Sequence, residues 1–390
     1  MSYKITYLKN GKLWYKHRDS NPVEIQSTFA TEIRNRMIRL QQKNNWKTEV
    51  NDTPFKGSML WGVKQINIDR TPLNITSVIF NQYGDSLYYI LESNTIGGLL
   101  YYDIASQTEK RLFHKENFNA YDIAYNPYRN ILVGVRRYGN GSSNIMRFDL
   151  SGAYRDITDG DSVDEAPCWR KTNWSEMLYQ SAGIATDKNG YTAGLGHCSI
   201  LSLDLNTSEQ RVILENDKYD YLQPKTDAAD NIYFIKRPYE YKRGNEGSLG
   251  KMLFDFVMFP FRIISSILFF LNDFSLFFSK KPIISAGGPK TEEQDQRFHL
   301  IRGRMIDVKK LSGKKSFNED TAALVPKNWQ LIRQTPAGEE TVIANSAVSY
   351  DICDDGTIIY TNGLAAFMIK DNKETLLFRD KFIEHISASV

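Results

Sequence analysis

Most of this chain alternates apolar and polar side chains with the period of two that marks half-buried strands. The runs are short and are separated by Gly, Asn, Asp and Ser turns. They also recur. Val78 to Phe113 reads VIFNQYGDSLYYILESNTIGGLLYYDIASQTEKRLF, and Ile123 to Thr158 reads IAYNPYRNILVGVRRYGNGSSNIMRFDLSGAYRDIT. Pro167 to Leu205 reads PCWRKTNWSEMLYQSAGIATDKNGYTAGLGHCSILSLDL. Each opens with an aromatic residue on a short strand, Phe80, Tyr125 or Trp169, spaced 45 and 44 apart. A polar turn, an apolar strand and a glycine-containing loop follow. Then come a strand ending in an aspartate turn, at Asp103, Asp149 or Asp204, and a last strand. Four strands in roughly 45 residues is the period of one β-propeller blade.

Partial copies extend the series. Lys225 to Ile235 (KTDAADNIYFI) and Tyr350 to Tyr360 (YDICDDGTIIY) each carry the turn and second strand of a further unit. The closing FIEHISASV reads as the first strand of another blade, and ITYLKNGKLWYKHRDSNPVEIQ near the start supplies its remaining three. The expected fold is all-β: a six-bladed propeller closed by N- and C-terminal strands, which hides the sheet edges. After the composite blade one, blades are expected at about 75–115, 118–159, 161–216, 218–345 and 346–378. Blade five is interrupted between a strand near Phe234 and one near Trp329. The expected domains are therefore 1–238, an insertion at 239–327, and 328–390.

At APCWR (Ala166 to Arg170), FNQYGDSLYYI (Phe80 to Ile90), DAADNIYFI (Asp227 to Ile235) and CDDGTIIY (Cys353 to Tyr360) the chain resembles the TolB-like and WD40-like β-propeller repeats. The resemblance spans nearly everything except two insertions. It implies the propeller fold and leaves function open, since the family serves as scaffolds, sensors and occasional enzymes. The Trp–Asp ending of strict WD40 blades is absent. The periplasmic role of the family's secreted member is not carried over.

The first insertion, Thr31 to Trp46 within a helical stretch at about 29–46, changes period from two to 3.6. Ile33, Met37 and Leu40 share one face, and Arg34, Arg36, Arg39 and Lys43 make another basic. A short helix packed on the propeller is the expectation, with a partner-docking helix as the alternative.

The second insertion holds the most apolar stretch. Met252 to Phe278 contains 9 of the 21 Phe residues and carries only Asp255, Arg262 and Asp273 as charges. Its longest uncharged run, Ile263 to Asn272, falls short of the ~20 residues a spanning helix needs. A single crossing would also separate blades that must close into one ring. On a helix, the polar stripe of Asp255, Arg262, Ser266 and Asp273 covers about 40°. The remaining surface is apolar: Phe254, Phe256, Phe259, Phe261, Ile263, Ile264, Ile267, Leu268, Phe269, Phe270, Leu271, Phe274, Phe277 and Phe278. Pro260 bends such a helix. These side chains are the expected membrane or partner contacts. Lys251, Lys280 and Lys281 are the expected contacts to anionic lipid, at about 1 kcal/mol each. Burial of the apolar face at ~1.5–3 kcal/mol per large side chain outweighs that charge. A monotopic anchor is the expectation; a subunit interface or a small subdomain core are the alternatives.

Charge follows the insertion. Lys236 to Lys327 holds 17 Lys+Arg against 10 Asp+Glu, which leaves 32 against 36 elsewhere within totals of 49 and 46. Cys168, Cys198 and Cys353 form no CxxC pair and read as free thiols of a reducing compartment. No apolar leader opens the sequence. None of the five His residues sits in a ligand spacing, and His197 and Cys198, neighbours on one expected strand, would point to opposite faces. The acidic run DITDGDSVDEAP (Asp156 to Pro167) departs from the EF-hand pattern. No GxSxG elbow or phosphate loop occurs. No catalytic residue, metal or cofactor is expected, and no nucleic acid. The expected function is a non-catalytic scaffold or adaptor at the cytoplasmic membrane surface that binds an unidentified protein partner, with an oligomer also compatible. The alternative is an enzyme or small-ligand sensor with its site at the central channel.

Overall fold

The computed structural model describes residues 3–18, 20–49, 73–93, 96–186, 192–240, 298–301, 304–307 and 323–389. The chain divides into two units, 1–240 with 314–390, and 241–313.

The first unit opens with strands β1 (Lys4–Lys9), β2 (Lys12–His17) and β3 (Val23–Ile25), then helix α1 (Thr28–Glu49). A four-stranded antiparallel meander follows: β4 (Asn74–Phe80), β5 (Ser86–Glu92), β6 (Ile96–Asp103) and β7 (Thr108–Glu116). The next is β8 (Ala120–Asn126), β9 (Ile131–Arg137), β10 (Ser143–Phe148) and β11 (Tyr154–Asp156). Then come β12 (Ser162–Arg170), β13 (Asn173–Thr186), β14 (Thr192–Leu195), β15 (Ser199–Asp204) and β16 (Glu209–Leu214). β17 (Tyr219–Thr226) and β18 (Ile232–Pro238) precede the second unit. There the described residues form one hairpin, β19 (Phe298–Ile301) with β20 (Arg304–Asp307). The first unit resumes with β21 (Gln330–Gln334), β22 (Glu340–Asn345), β23 (Ser349–Ile352), β24 (Ile358–Thr361), β25 (Ala365–Lys370), β26 (Lys373–Arg379) and β27 (His385–Ser389).

Three pairings organise these strands. β27 lies antiparallel to β1, with Ile386 opposite Tyr7, so one sheet runs β27-β1-β2-β3 from both chain ends. β18 pairs directly with β21, Phe234 opposite Ile332, so the sheet β17-β18-β21-β22 is continuous across the second unit. A single parallel pair, Ser143 with Val163, joins the β8–β11 meander to the β12–β16 meander. One expectation fails here. The glycine-containing loop after Met177 is partly strand: β13 continues to Thr186 and β14 folds back onto it, Ile184 opposite Leu195. The β-branched residues Ile184, Thr186 and Thr192 favour this extension.

Burial falls from the inner to the outer strand of each meander. β5 and the first half of β6 are nearly closed to solvent, whereas β7, β16, β22 and β26 are mostly exposed, and β7, β16 and β26 are rich in Lys, Arg and Glu. Charged residues on an outer strand keep its open edge from pairing with another chain. The cores lie between successive sheets. Ile90 and Leu99 of one meander pack with Leu132, Met146 and Phe148 of the next. Val133 and Ile145 then pack with Met177 and Tyr179. Ile5 and Tyr7 pack with Ile359 and Ile386. Gly97 allows the tightest approach: a Cβ there would lie 1.9 Å from the Phe118 carbonyl oxygen. The first strands also touch in sequence, β4 with β8, β8 with β12, β12 with β17, β17 with β23, β23 with β27, and β27 with β4.

Helix α1 is longer than the sequence pattern implies; of its expected packed face, the side chains of Met37 and Leu40 lie outside the described residues. Phe29 and Ala30 pack against the core of the first two sheets, and Arg111 stacks on the Phe29 ring at 4.6 Å. Beyond Ile33, the side chains of Arg34, Arg36, Ile38 and Arg39 are exposed. The first turn of the helix is fastened by hydrogen bonds. Ser27 caps it, and the Glu109 carboxylate accepts from Ser27 Oγ at 2.7 Å, from Thr28 N and Oγ1, and from Tyr89 Oη at 2.7 Å. A carboxylate at a helix N-terminus satisfies free amides and opposes the dipole. These hydrogen bonds outweigh burial and hold Glu109 below the usual carboxylate range. Glu109→Ala is expected to cost about 2 kcal/mol and to reduce helical circular dichroism. Unchanged ellipticity and midpoint in a thermal melt would remove Glu109 as the anchor.

Candidate functional site

The expected membrane or partner contacts, Phe254 through Phe278, lie outside the described residues. So do the stripe Asp255, Arg262, Ser266 and Asp273, and the lysines Lys251, Lys280 and Lys281. Among the described residues no helix is long and apolar enough to cross a membrane. The described chemistry gathers elsewhere, on the first strands of the meanders.

Four of these strands carry a register shift: β4 between Ile75 and Ser77, β8 between Tyr121 and Ala124, β12 between Glu165 and Cys168, β17 between Leu222 and Lys225. At three of the shifts a non-glycine residue takes a left-handed φ: Asp122 at 46°, Ala166 at 50° and Gln223 at 53°. Bulges re-aim side chains, and such backbone persists only where the surroundings fix it. Pro167 and Pro224, each inside a strand, are the legible signal of two of them.

Two polar groups result. In the first, Tyr121 Oη donates to Glu165 Oε1 at 2.7 Å, and Gln180 Nε2 donates to Glu165 Oε2 at 3.0 Å. Gln223 N donates to Gln180 Oε1 at 2.8 Å, Gln223 Nε2 to the Val348 carbonyl at 2.9 Å, and Tyr350 Oη to the Gln223 carbonyl at 2.6 Å. This path runs through four meanders. Burial raises both phenol hydroxyls well above the usual tyrosine range.

The second group centres on Asp351. Its Oδ1 accepts from Lys225 Nζ at 2.6 Å, and its Oδ2 accepts from Ser387 Oγ and Ala388 N, both at 2.9 Å. The carboxylate thus links β17, β23 and the chain-end strand β27. Burial opposes both charges, but the mutual attraction prevails: Lys225 is raised and Asp351 lowered. Cys168 and Cys353 flank the pair electrostatically. Burial raises the Cys168 thiol and pushes Cys198 and Cys353 up to about 12. A thiol in that range is protonated at neutral pH and is a poor nucleophile. A lysine whose charged form is favoured cannot act as a neutral base. All three cysteines carry free thiols.

The other candidates are dispersed. His197 and Cys198 lie in the link before β15 and not on a strand; His197 Nε2 is 3.4 Å from Glu215 Oε1. Asp156 pairs with Tyr138 Oη and lies 3.8 Å from Arg136 Nη1. It borders a polar cleft of about 630 Å³ between the β8–β11 and β12–β16 meanders. Among the described residues no three His, Cys, Asp or Glu side chains gather as metal ligands.

Stacked meanders whose first strands touch in sequence define the class: a β-propeller. Structural comparison agrees. TolB from Acinetobacter baumannii matches over 100% of this chain and 67% of its own, with a TM-score of 0.51 at 10% identity. A chain of a nidogen/laminin complex matches over 100% of this chain and 98% of its own, with a TM-score of 0.51 at 6% identity. No family model matches the chain. No curated protein matches it either. At these identities the likeness is one of fold, and the chain has a TolB-like β-propeller fold.

Proposed function

We propose that the protein is a non-catalytic adaptor: a six-bladed propeller whose faces bind protein partners, held at the cytoplasmic face of a membrane through 252–278. The carrying observation is that the axial ionisable groups are engaged in joining strands. Lys225, Asp351 and Ser387 clasp three first strands, and Glu165 is hydrogen-bonded by Tyr121 and Gln180. Such pairing serves rigidity better than proton transfer. The cyclic contacts of the first strands and the composite sheet of both chain ends support six blades. That a chain of a nidogen/laminin complex shares the fold supports a protein partner. The membrane part rests on sequence: nine Phe in 27 residues, flanked by Lys251, Lys280 and Lys281.

Deleting 251–281 and fractionating cells tests the anchor. The full-length protein is expected to pellet with membranes and to be released by detergent, and the deletion variant to remain in the supernatant. A variant that pellets as before sinks the anchor. A soluble full-length oligomer that the deletion dissolves makes the segment a subunit interface instead.

A further inference from the structure

We propose that the propeller face carrying Tyr83, Tyr128 and Trp174 receives a basic segment of the protein partner, with arginine or lysine side chains laid on those rings. This rests on the adaptor reading and adds the face and the chemistry of its partner.

In an antiparallel meander the turn between the first two strands and the turn between the last two lie at the same end. Contacts between meanders set these ends side by side. Lys4 Nζ donates to the Gly84 carbonyl at 2.6 Å, Asn126 Nδ2 to the Trp174 carbonyl at 2.8 Å, and Arg129 Nη2 to Asn206 Oδ1 at 3.1 Å. Tyr83 and Tyr128 are 76% and 73% exposed. Each stands three residues past the aromatic that opens its meander, Phe80 or Tyr125. The Tyr128 ring lies 5.0 Å from that of Trp174. Tyr88 touches both Tyr101 and Tyr125 at 5.5 Å. With Tyr83, these rings stand on three adjoining meanders as a band in which Tyr83 and Tyr128 are exposed and the others half-buried. Exposed aromatic rings grouped in this way mark a binding surface.

Charge selects the partner. Asp85 stands in the turn that carries Tyr83, and Asp103 and Asp204 close β6 and β15 at the same end of their meanders. Hydrogen bonds from Ser106 to Asp103, and from the Asn206 and Thr207 amides to Asp204, hold these two below the usual carboxylate range. Of the neighbouring cations, Lys171 pairs with Asp354 and Arg170 with Glu176 and Asp230, while Arg129 is held on Asn206 and Lys4 on the Gly84 carbonyl. What the band offers is aromatic faces beside carboxylates. A guanidinium or ammonium fits both at once, by cation–π contact and by charge-assisted hydrogen bonding. Anionic lipid and nucleic acid meet repulsion from the same aspartates.

The test uses full-length protein in detergent and two fluorescein-labelled dodecapeptides, (Gly-Arg)6 and (Gly-Glu)6, followed by fluorescence anisotropy. The arginine peptide is expected to bind, more weakly as salt rises, and the glutamate peptide not to bind. Tyr83→Ser with Tyr128→Ser is expected to weaken binding about five- to thirty-fold, the worth of two cation–π contacts. An unchanged melting midpoint confirms that the doubly substituted protein is folded. Equal affinity in that variant, or no binding of (Gly-Arg)6 by the unmodified protein, overturns the proposal. Binding of phosphatidylglycerol vesicles by the 251–281 deletion variant, abolished by the same two substitutions, overturns it in favour of a membrane face. Failure here with the fractionation result intact leaves the adaptor standing. The converse leaves the peptide face standing.

Discussion

Asp351→Ala is expected to lower stability by about 2–4 kcal/mol, read as a drop in urea midpoint at unchanged slope. The Lys225 ammonium then loses its partner while its side chain stays only 27% exposed, and Ser387 Oγ and Ala388 N lose their acceptor. Removing one member of a largely buried pair costs more than the pair contributes, because a charge is left uncompensated. The pH dependence has a definite sign. The carboxylate is lowered in the fold, so its stabilisation is present above the unfolded value of about 4 and is lost as pH falls through the folded one. The lysine is raised, so its contribution is present below about 10.4 and is lost as pH rises through its folded value. Asp351→Asn keeps an acceptor for Ala388 and should fall between the two. If Asp351→Ala shifts neither the midpoint nor its pH profile, the clasp is not a stabilising contact.

A stop codon at His385 is expected to do more: to abolish cooperative unfolding. It removes β27, with Ile386 fully buried and five residue pairs to β1. The Ile386 burial alone is worth about 1.5–3 kcal/mol. The lost ladder and the two Asp351 contacts raise the total above about 5 kcal/mol, the scale of a whole domain's stability. The truncated chain should bind a hydrophobic dye and lose near-ultraviolet circular dichroism while keeping strand signal. A melt like that of the full chain would show that the terminal strand does not close the ring.

The fold was legible where side-chain period and turn chemistry agreed. Phe80, Tyr125 and Trp169 fall on the first strands of their meanders, and FIEHISASV contains the strand that pairs with β1. Local pattern could not reveal the axial groups. Tyr121 with Glu165, and Lys225 with Asp351, are 44 and 126 residues apart. They meet because bulges turn strands that otherwise alternate regularly. Pro167 and Pro224 betray two of those bulges, but Asp122 reaches the same backbone without a proline. The β14 extension was hidden for a different reason: its glycines read as a loop, whereas backbone pairing decided the outcome. In α1, the contacts of Glu109 with the first turn are equally long-range, 80 to 82 residues away in the chain, and no local pattern shows them.

The sheet that joins both chain ends has a consequence for synthesis. Leu8 pairs with His385, so β1 waits for β27. At about 10 residues per second that wait is on the order of half a minute. Throughout it, the edge of β1 that β27 will cover has no partner, while the five meanders after it are made one by one. The stretch at 252–278 also emerges within this interval. A nascent chain therefore presents its most apolar segment and an open strand edge together before the ring can close.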